Sequence, residues 1–320
     1  MQEAERLILV TGAAGVMGLR LVARLRERGF RVRSLILPDD PQRARLEQLG
    51  SEIREGDVRD PATLHGLCTG VDTLYHLAAI IISHDPSAFE SINRQGTANV
   101  LAQADAAAVR HVIYVSSASV TYPKRTAYAQ SKLAAERLVA ARSGAYTIVR
   151  PTLVYDEAGG LELRMFLEYL RRFPVVPFIG AGAARKRPVW SEDVVDGLTR
   201  LAGNTVSFGK TYNFSGAEAI SMRDFARLLL EHNAADRPFI HLPVALCRGL
   251  AHVLARVMPR PPLTSSAIAG VVNHADLDPS AAMRDLGYQP IGVREGFARC
   301  FPLHPSAAIH HSTESIQEAR

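Results

Sequence analysis

Several things are scarce in this chain, and each shortage excludes something. Three cysteines, Cys68, Cys247 and Cys300, stand far apart in 320 residues with no CxxC pair, so neither a disulfide framework nor a thiolate zinc site is expected. They read as reduced, packed thiols of a cytoplasmic protein. The eleven histidines form no HExxH or other paired-ligand spacing, and no metal is expected. Lysine occurs only at 124, 132, 186 and 210, and 37 basic residues against 32 acidic ones leave a net charge of just +5. No run of five basic residues appears, which argues against a nucleic-acid partner. Long apolar runs are missing too: Leu7 to Val16 is too short to span a bilayer and is broken by glycines. The first residues, Met1-Gln-Glu-Ala-Glu, carry acids where a secretory signal carries bases.

What is present is globular: 47% apolar and 22% charged residues, enough for one large or two modest domains. The first half alternates β-type runs (Leu7–Thr11, Arg31–Leu37, Ser51–Glu55, Thr73–Leu77, His111–Ser116, Tyr146–Val149) with helical patterns (Val16–Gly29, Pro41–Leu49, Pro61–Cys68, Ser87–Ala107, Ala127–Arg142). That rhythm predicts an α/β fold, a doubly wound parallel sheet with helices on both faces. Beyond Arg150-Pro151 the pattern turns mostly helical, near Leu161–Arg172, Asp193–Leu201, Ser221–His232, Val244–Val257 and Pro279–Leu286, with a strand at Thr211–Phe214 that can rejoin the main sheet.

Thr11-Gly12-Ala-Ala-Gly15-Val16-Met17-Gly18 joins the first strand to the first helix. Gly12 permits a tight turn, Gly15 lets backbone approach a pyrophosphate, and Gly18 allows close helix–strand packing, with the helix N-terminus facing the anion. A second constellation is Tyr128-Ala-Gln-Ser-Lys132. Positions i and i+4 share a helix face, so a lysine ammonium can sit beside a phenol and favour its ionised form.

The GxxGxxG spacing and the Tyr-x-x-x-Lys pair resemble the short-chain dehydrogenase/reductase superfamily. The resemblance is to its extended branch, the NAD-dependent epimerase/dehydratase family, and covers about residues 5–304. It implies a Rossmann-type domain over 1–155, rejoined by about 190–216, a smaller helical substrate domain over 156–189 and 217–304, and a flexible tail over 305–320. NAD is the implied cofactor, with NADP left open. Gly56-Asp57-Val58 resembles the family segment at the adenine, and His76-Leu77-Ala78-Ala79 the end of the fourth strand against the cofactor. Asn93-Arg-Gln-Gly-Thr-Ala-Asn99 resembles a family helix start, and Ser117 aligns with the serine of Ser-x-x-Val-Tyr-Gly. Carried over residue by residue, the resemblance makes Ser117, Tyr128, Lys132 and Asn93 the catalytic set. Gly12, Gly15, Val16, Met17, Gly18, Asp57, Val58, Leu77, Ala78, Ala79, Tyr128, Lys132 and Pro151 are the implied cofactor contacts. Ser117, Thr152, Leu153 and Lys186 stand toward substrate.

Departures from the family pattern bear on specificity. The second strand ends in Ile36-Leu37 where an Asp would hold the ribose; Asp39 is the fallback, and Arg33 is the one residue favouring a 2′-phosphate. Leu153 replaces the Asn of enzymes that act on nucleotide-diphospho-sugars, whereas Arg185-Lys186-Arg187 offers a basic cluster that could clamp a diphosphate. Only 11 positions separate Ser117 from Tyr128, which shortens the loop over the site. The apolar segments Leu161–Tyr169 and Phe173–Phe178 read as core or as the lining of a pocket for a hydrophobic alcohol or ketone. The segment Leu242–Met258 reads as a packed helix, because it lacks the strong basic face and aromatics of a membrane-surface helix. Three functions stay open: an NAD(P)-dependent oxidoreductase of secondary alcohols and ketones, a nucleotide-sugar epimerase or dehydratase with tightly held NAD, and a non-catalytic dinucleotide-binding subunit. A small-molecule substrate and a homodimer are expected, with no nucleic-acid or membrane partner.

Overall fold

The computed structural model describes residues 6–301 except 84, 158–160, 234 and 259–260, so the tail read as 305–320 lies outside the described residues. Along the chain run β1 (Leu7–Thr11), α1 (Val16–Glu27), β2 (Arg31–Ile36), α2 (Arg43–Gln48), β3 (Glu52–Glu55), β4 (Val71–His76), α3 (Pro86–Ala88), a π-helical segment (Phe89–Gln95), α4 (Gly96–Ala106), β5 (His111–Val115), α5 (Ala127–Ala140) and β6 (Ala145–Pro151). Then come β7 (Val154–Tyr155), α6 (Leu161–Arg172), β8 (Val176–Ile179), β9 (Arg185–Lys186), β10 (Val189–Trp190), α7 (Ser191–Thr199) and β11 (Lys210–Phe214). The rest is β12 (Ile220–Ser221), α8 (Met222–Glu231), β13 (Phe239–Leu242), α9 (Val244–Val257), α10 (Ser265–Val272), α11 (Ser280–Leu286) and α12 (Val293–Cys300).

The chain divides into two compact units. The first is Met1–Thr152 with Ser191–Ser215 and Leu277–Pro290; the second is Leu153–Trp190 with Gly216–Asp276 and Ile291–Arg320. In the first unit seven parallel strands lie in the order β11-β6-β5-β4-β1-β2-β3. This is the doubly wound, Rossmann-type sheet expected from the alternation. Every residue of β1 and β5 is buried, as strands covered on both faces must be, whereas the edge strand β3 is largely exposed. The strand order reverses between β1 and β4, and the crevice beyond their carboxyl ends is where such sheets bind ligands.

Two helices differ from the periodicity. The expected Pro61–Cys68 helix is a single 3₁₀ turn, Pro61–Leu64, because Gly66 takes a left-handed φ of +69° and stops it. The run Ser87–Ala107 contains the π-helical segment Phe89–Gln95, a local widening often found at functional sites.

In the second unit three short strand pairs, β7 with β10, β8 with β13 and β9 with β12, accompany α6, α8, α9, α10 and α12. Phe178, Phe225, Leu229 and Phe297 centre its core, with the Tyr155 ring edge-on to Phe297 at 4.9 Å. The apolar segments read as core or pocket lining supply Leu163, Val176 and Phe178 to this core. Helix α9 has the predicted bounds but not the predicted packing. Its buried residues are Cys247 and Ala251, set against Ile179 and Ile268, while Leu246, Leu250, Val253 and Val257 are exposed.

Candidate active site

The phosphate turn is built from backbone. Gly12 has φ +69°, a conformation that favours glycine. A Cβ there would lie 2.8 Å from the Ala78 nitrogen and 2.9 Å from the Leu77 carbonyl carbon, so the turn rests directly on the end of β4. A Cβ on Gly18 would collide with the Gly12 carbonyl oxygen. Gly15 caps α1 without any side-chain hydrogen bond, and the first turn holds no acid. Gly15 and Val16 are exposed and Met17 half-buried. An exposed helix start with unclaimed N–H groups, approached by a backbone that admits no side chain, suits a dinucleotide pyrophosphate.

At the ribose end Leu37 is exposed, and Asp39 adopts φ +56° in an exposed turn. Arg33 is committed elsewhere. Its Nε and Nη2 reach Glu52 at 2.9 and 3.2 Å, and its Nη1 donates to the Leu67 and Thr69 carbonyls at 2.7 and 2.9 Å. The residue that favoured a 2′-phosphate therefore serves structure. Asp57 is gripped by the Arg59 guanidinium, which holds its carboxyl below the usual range. Val58 is buried in the core, and its carbonyl accepts from Asn99 at 2.8 Å.

Behind the turn runs a buried polar chain that sequence reasoning missed. Thr97 Oγ1 donates to the Asn93 carbonyl at 2.6 Å, so it must accept from His76 Nε2 at 2.9 Å. His76 Nδ1 then accepts from Thr11 Oγ1 at 2.6 Å, and Thr11 Oγ1 accepts from the Ala78 N–H at 3.3 Å. One hydroxyl proton per threonine fixes this direction and the Nε2–H tautomer. Burial, reinforced by the Lys132 charge, pushes the His76 pKa down to about 3, so the ring is neutral. The signal was available: His76 ends a strand whose neighbour ends in Thr11.

Three polar ties hold α5, the helix that carries Tyr128. The Asn93 amide donates to Ser131 Oγ at 3.0 Å, and its other contacts go to the Ile80 backbone, N–H at 2.8 Å and carbonyl at 3.0 Å. Ser131 Oγ in turn donates to the Tyr128 carbonyl at 2.8 Å. Asn93 thus positions this helix. Lys132 Nζ, buried, donates to the Val115 carbonyl at 2.7 Å and lies 4.2 Å from the centre of the Tyr114 ring. That bond docks α5 at the end of β5, two residues before Ser117. The third tie is bidentate: Arg150 Nε and Nη2 donate to the buried Glu136 carboxylate at 2.8 and 2.6 Å. Glu136 stands one helical turn past Lys132, a spacing that could have revealed it. Ser117 is half-buried, caps a 3₁₀ turn and accepts from the Ser119 N–H at 3.2 Å. Tyr128 is half-buried, with its ring edge-on to Phe89 at 6.1 Å. Pro151 ends β6 opposite Phe214, whose carbonyl accepts from the Thr152 N–H at 3.2 Å.

Burial pushes the Lys132 pKa down to about 7 from an ordinary 10.5, with the Glu136 carboxylate acting in the opposite direction. Between those values the unfolded chain keeps a proton that the folded one releases, so stability rises with pH across that window. Lys132→Met should therefore remove a rise of about 1.4 kcal/mol per pH unit above pH 7. Denaturant melts of the ligand-free protein at several pH values check this: parallel curves for wild type and variant would show that Lys132 does not titrate there.

The remaining sequence-predicted substrate residues, Leu153 and Lys186, belong to the second unit. Lys186 is buried, and its ammonium donates to the carbonyls of Gly270 (2.8 Å) and Asn273 (2.5 Å) at the end of α10. Arg185 and Arg187 both engage Asp276, at 3.0 and 2.5 Å, and Arg187 also donates to the Ala217 carbonyl. The basic cluster is woven into its own unit.

Comparison with known proteins follows the same lines. Residues 8–214 match the profile of the NAD dependent epimerase/dehydratase family. A 3β-hydroxysteroid dehydrogenase/Δ5→4-isomerase of Mycobacterium tuberculosis is 27% identical, over 97% of this chain and 94% of its own. A Stigmatella aurantiaca ketoreductase of a farnesylated dihydroquinoline oxide is 26% identical, over 87% of this chain and 90% of its own. In fold, the chain resembles a dTDP-glucose 4,6-dehydratase from Streptomyces venezuelae solved with NAD. That TM-score is 0.70 at 23% identity, covering 92% of this chain and 95% of the other.

Proposed function

The chain belongs to the NAD-dependent epimerase/dehydratase family, and from that premise we propose that it is an oxidoreductase of an apolar secondary alcohol or ketone. It is an enzyme of the extended short-chain dehydrogenase/reductase type, and its cofactor is NAD. The first unit carries the dinucleotide, and the second is the substrate domain. The observation that carries the choice of substrate class is the fate of Arg185, Lys186 and Arg187. Their charges are spent on Asp276 and on the carbonyls of Ala217, Gly270 and Asn273, which leaves them poorly placed to clamp a diphosphate. Leu153, where sugar-nucleotide enzymes carry Asn, agrees. So do relatives named for a hydroxysteroid and a farnesylated ketone.

When bound, NAD supplies the hydride acceptor or donor. This chain's residues do the rest. Gly12, Gly15 and the start of α1 hold the pyrophosphate, and Asp39 reaches the ribose. Ser117 Oγ hydrogen-bonds the substrate oxygen, and the Tyr128 phenol takes or returns that oxygen's proton. Lys132, fixed by the Val115 carbonyl, offers the phenol a positive charge in its protonated form. Its neighbours Asn93, Ser131 and Glu136 hold the helix still, which is what proton exchange over hydrogen-bond distance requires. A homodimer through the α4 and α5 helices and a cytoplasmic site complete the proposal. The buried thiols Cys68, Cys247 and Cys300 suit a reducing compartment, as does the Cys68 thiol, pushed up to about 11 by burial. Among the described residues no helix is long and apolar enough to cross a membrane.

The test is net change in reduced-nicotinamide absorbance with NAD and a panel of 3β-hydroxysteroids and long-chain secondary alcohols, set against nucleotide-diphospho-sugars. Net reduction with the apolar panel is expected. Turnover of a nucleotide sugar without net reduction, by protein purified with NAD already bound, would assign the epimerase or dehydratase chemistry instead.

A further inference from the structure

Helix α9 presents three faces. At about 100° per residue, Cys247 and Ala251 point to the core, where they meet Ile179 and Ile268. Leu246, Leu250, Val253 and Val257, spaced by four, three and four, form a second face, and they are 61%, 50%, 56% and 69% exposed. Arg248, His252 and Arg256 form a third, also exposed, with Arg256 bordering the aliphatic stripe. A Cβ added to Gly249, next to that stripe, would meet nothing within 4 Å. Four branched aliphatic side chains in a row on a helix are not the scattered singles of an ordinary surface.

The surrounding sequence says what could cover them. From Arg237 to Ala275 there is no Asp or Glu in 39 residues, although acids make up 32 of 320 overall. The same stretch holds Arg237, Arg248, Arg256 and Arg260. A second copy of the chain meeting this face through a two-fold axis would set like charges against each other. A nucleic acid would have no use for the leucines. An anionic lipid surface satisfies both features: the aliphatic side chains enter the headgroup–acyl boundary while Arg256 at their border meets a phosphate.

We infer that α9 is a membrane-docking helix that lays Leu246, Leu250, Val253 and Val257 into an anionic bilayer surface. Docking there would give the second unit direct access to apolar molecules dissolved in lipid. That benefit rests on the proposed substrate class; the docking itself does not, and it survives if the enzyme proves to act on something else.

Co-sedimentation of the full chain with vesicles tests this. One set is phosphatidylcholine alone; the other contains phosphatidylcholine and phosphatidylglycerol in equal parts. Binding to the mixed vesicles should be on the order of ten-fold tighter or more, and should weaken as salt rises. The double variant Leu250→Ser/Val253→Ser alters only exposed side chains. It should lose about ten-fold or more of that binding while keeping NAD affinity and melting temperature. Failure of the wild type to sediment with either vesicle overturns the inference, as does equal binding by the double variant. A dimer that the double variant splits, seen by light scattering, would assign the face to a second copy. Binding by a chain ending at Phe301 but not by the full chain would assign it to the chain's own C-terminal segment. Either result overturns membrane docking.

Discussion

Tyr128→Phe should lower turnover by roughly 10²–10⁴-fold, the usual contribution of a positioned proton donor, with NAD still bound and melting temperature unchanged. The substitution removes one oxygen and keeps everything the structure assigns to the rest of the residue. The ring still meets Phe89 edge-on at 6.1 Å, and the backbone carbonyl still accepts from Ser131. Lys132 keeps its bond to Val115, so the cation remains in place with no phenol to act on. Steady-state rates, NAD titration and thermal melts on one preparation separate chemistry from folding. A variant within a few-fold of wild type would mean that the substrate proton travels by another route. A wild type that binds NAD and turns nothing over would revive the non-catalytic subunit.

Glu136→Gln should be the most damaging change that touches neither substrate nor cofactor. Glu136 is 4% exposed and accepts both Arg150 donors. Removing its charge leaves a guanidinium half-immersed without its counter-ion. Losing one partner of a buried pair costs about 3–5 kcal/mol, and the low end applies because the Arg150 side chain is 26% exposed. A second effect is distinct from instability. Burial drives Lys132 toward the neutral form while the Glu136 carboxylate opposes it, so the variant should release the Lys132 proton below pH 7. Activity that needs the ammonium then fails earlier as pH rises, and the alkaline limb of the pH–rate profile moves to lower pH. Glu136→Asp, which keeps the charge, should restore that limb even if it remains less stable. The groups facing Lys132 that could obscure the shift are Tyr128 on its own helix, Tyr114 on β5 and His76 on β4. Burial keeps Tyr114 protonated and His76 neutral across the range, so the displaced limb reports the Lys132–Tyr128 pair. An unchanged profile with a lowered melting temperature would reduce Glu136 to a structural role.

Much of the fold was legible because it is written locally. The continuous apolar runs at Leu7–Thr11 and His111–Val115 could only be strands covered on both faces, and the helices between them forced a parallel sheet. The phosphate turn was legible for a similar reason: Gly12 needs a left-handed backbone and Gly18 needs contact without a side chain, and both demands act within seven residues. Tyr128 and Lys132 share a face because four residues make roughly one helical turn. The 3₁₀ turn at Pro61–Leu64 escaped because one left-handed glycine, Gly66, outweighed a helical pattern. The relay from Thr11 through His76 to Thr97 escaped because its members meet across strands and a helix.

The sequence by itself determined the family, the sheet, the glycine turn and the Tyr128–Lys132 pair, all of them consequences of backbone stereochemistry and short-range periodicity. Only the tertiary structure decided what the long charged and apolar side chains do. Arg33 turned out to bind Glu52 and two carbonyls rather than face a ribose. Lys186 found its carbonyl partners 84 and 87 positions away, and Glu136 its guanidinium across a strand. Helix α9 has one apolar stripe against the core and another against solvent, a difference invisible to composition. The physical reason is common to the three charged side chains. A flexible side chain takes its partner from whatever the fold brings within a few ångströms, and burial makes that choice energetically decisive.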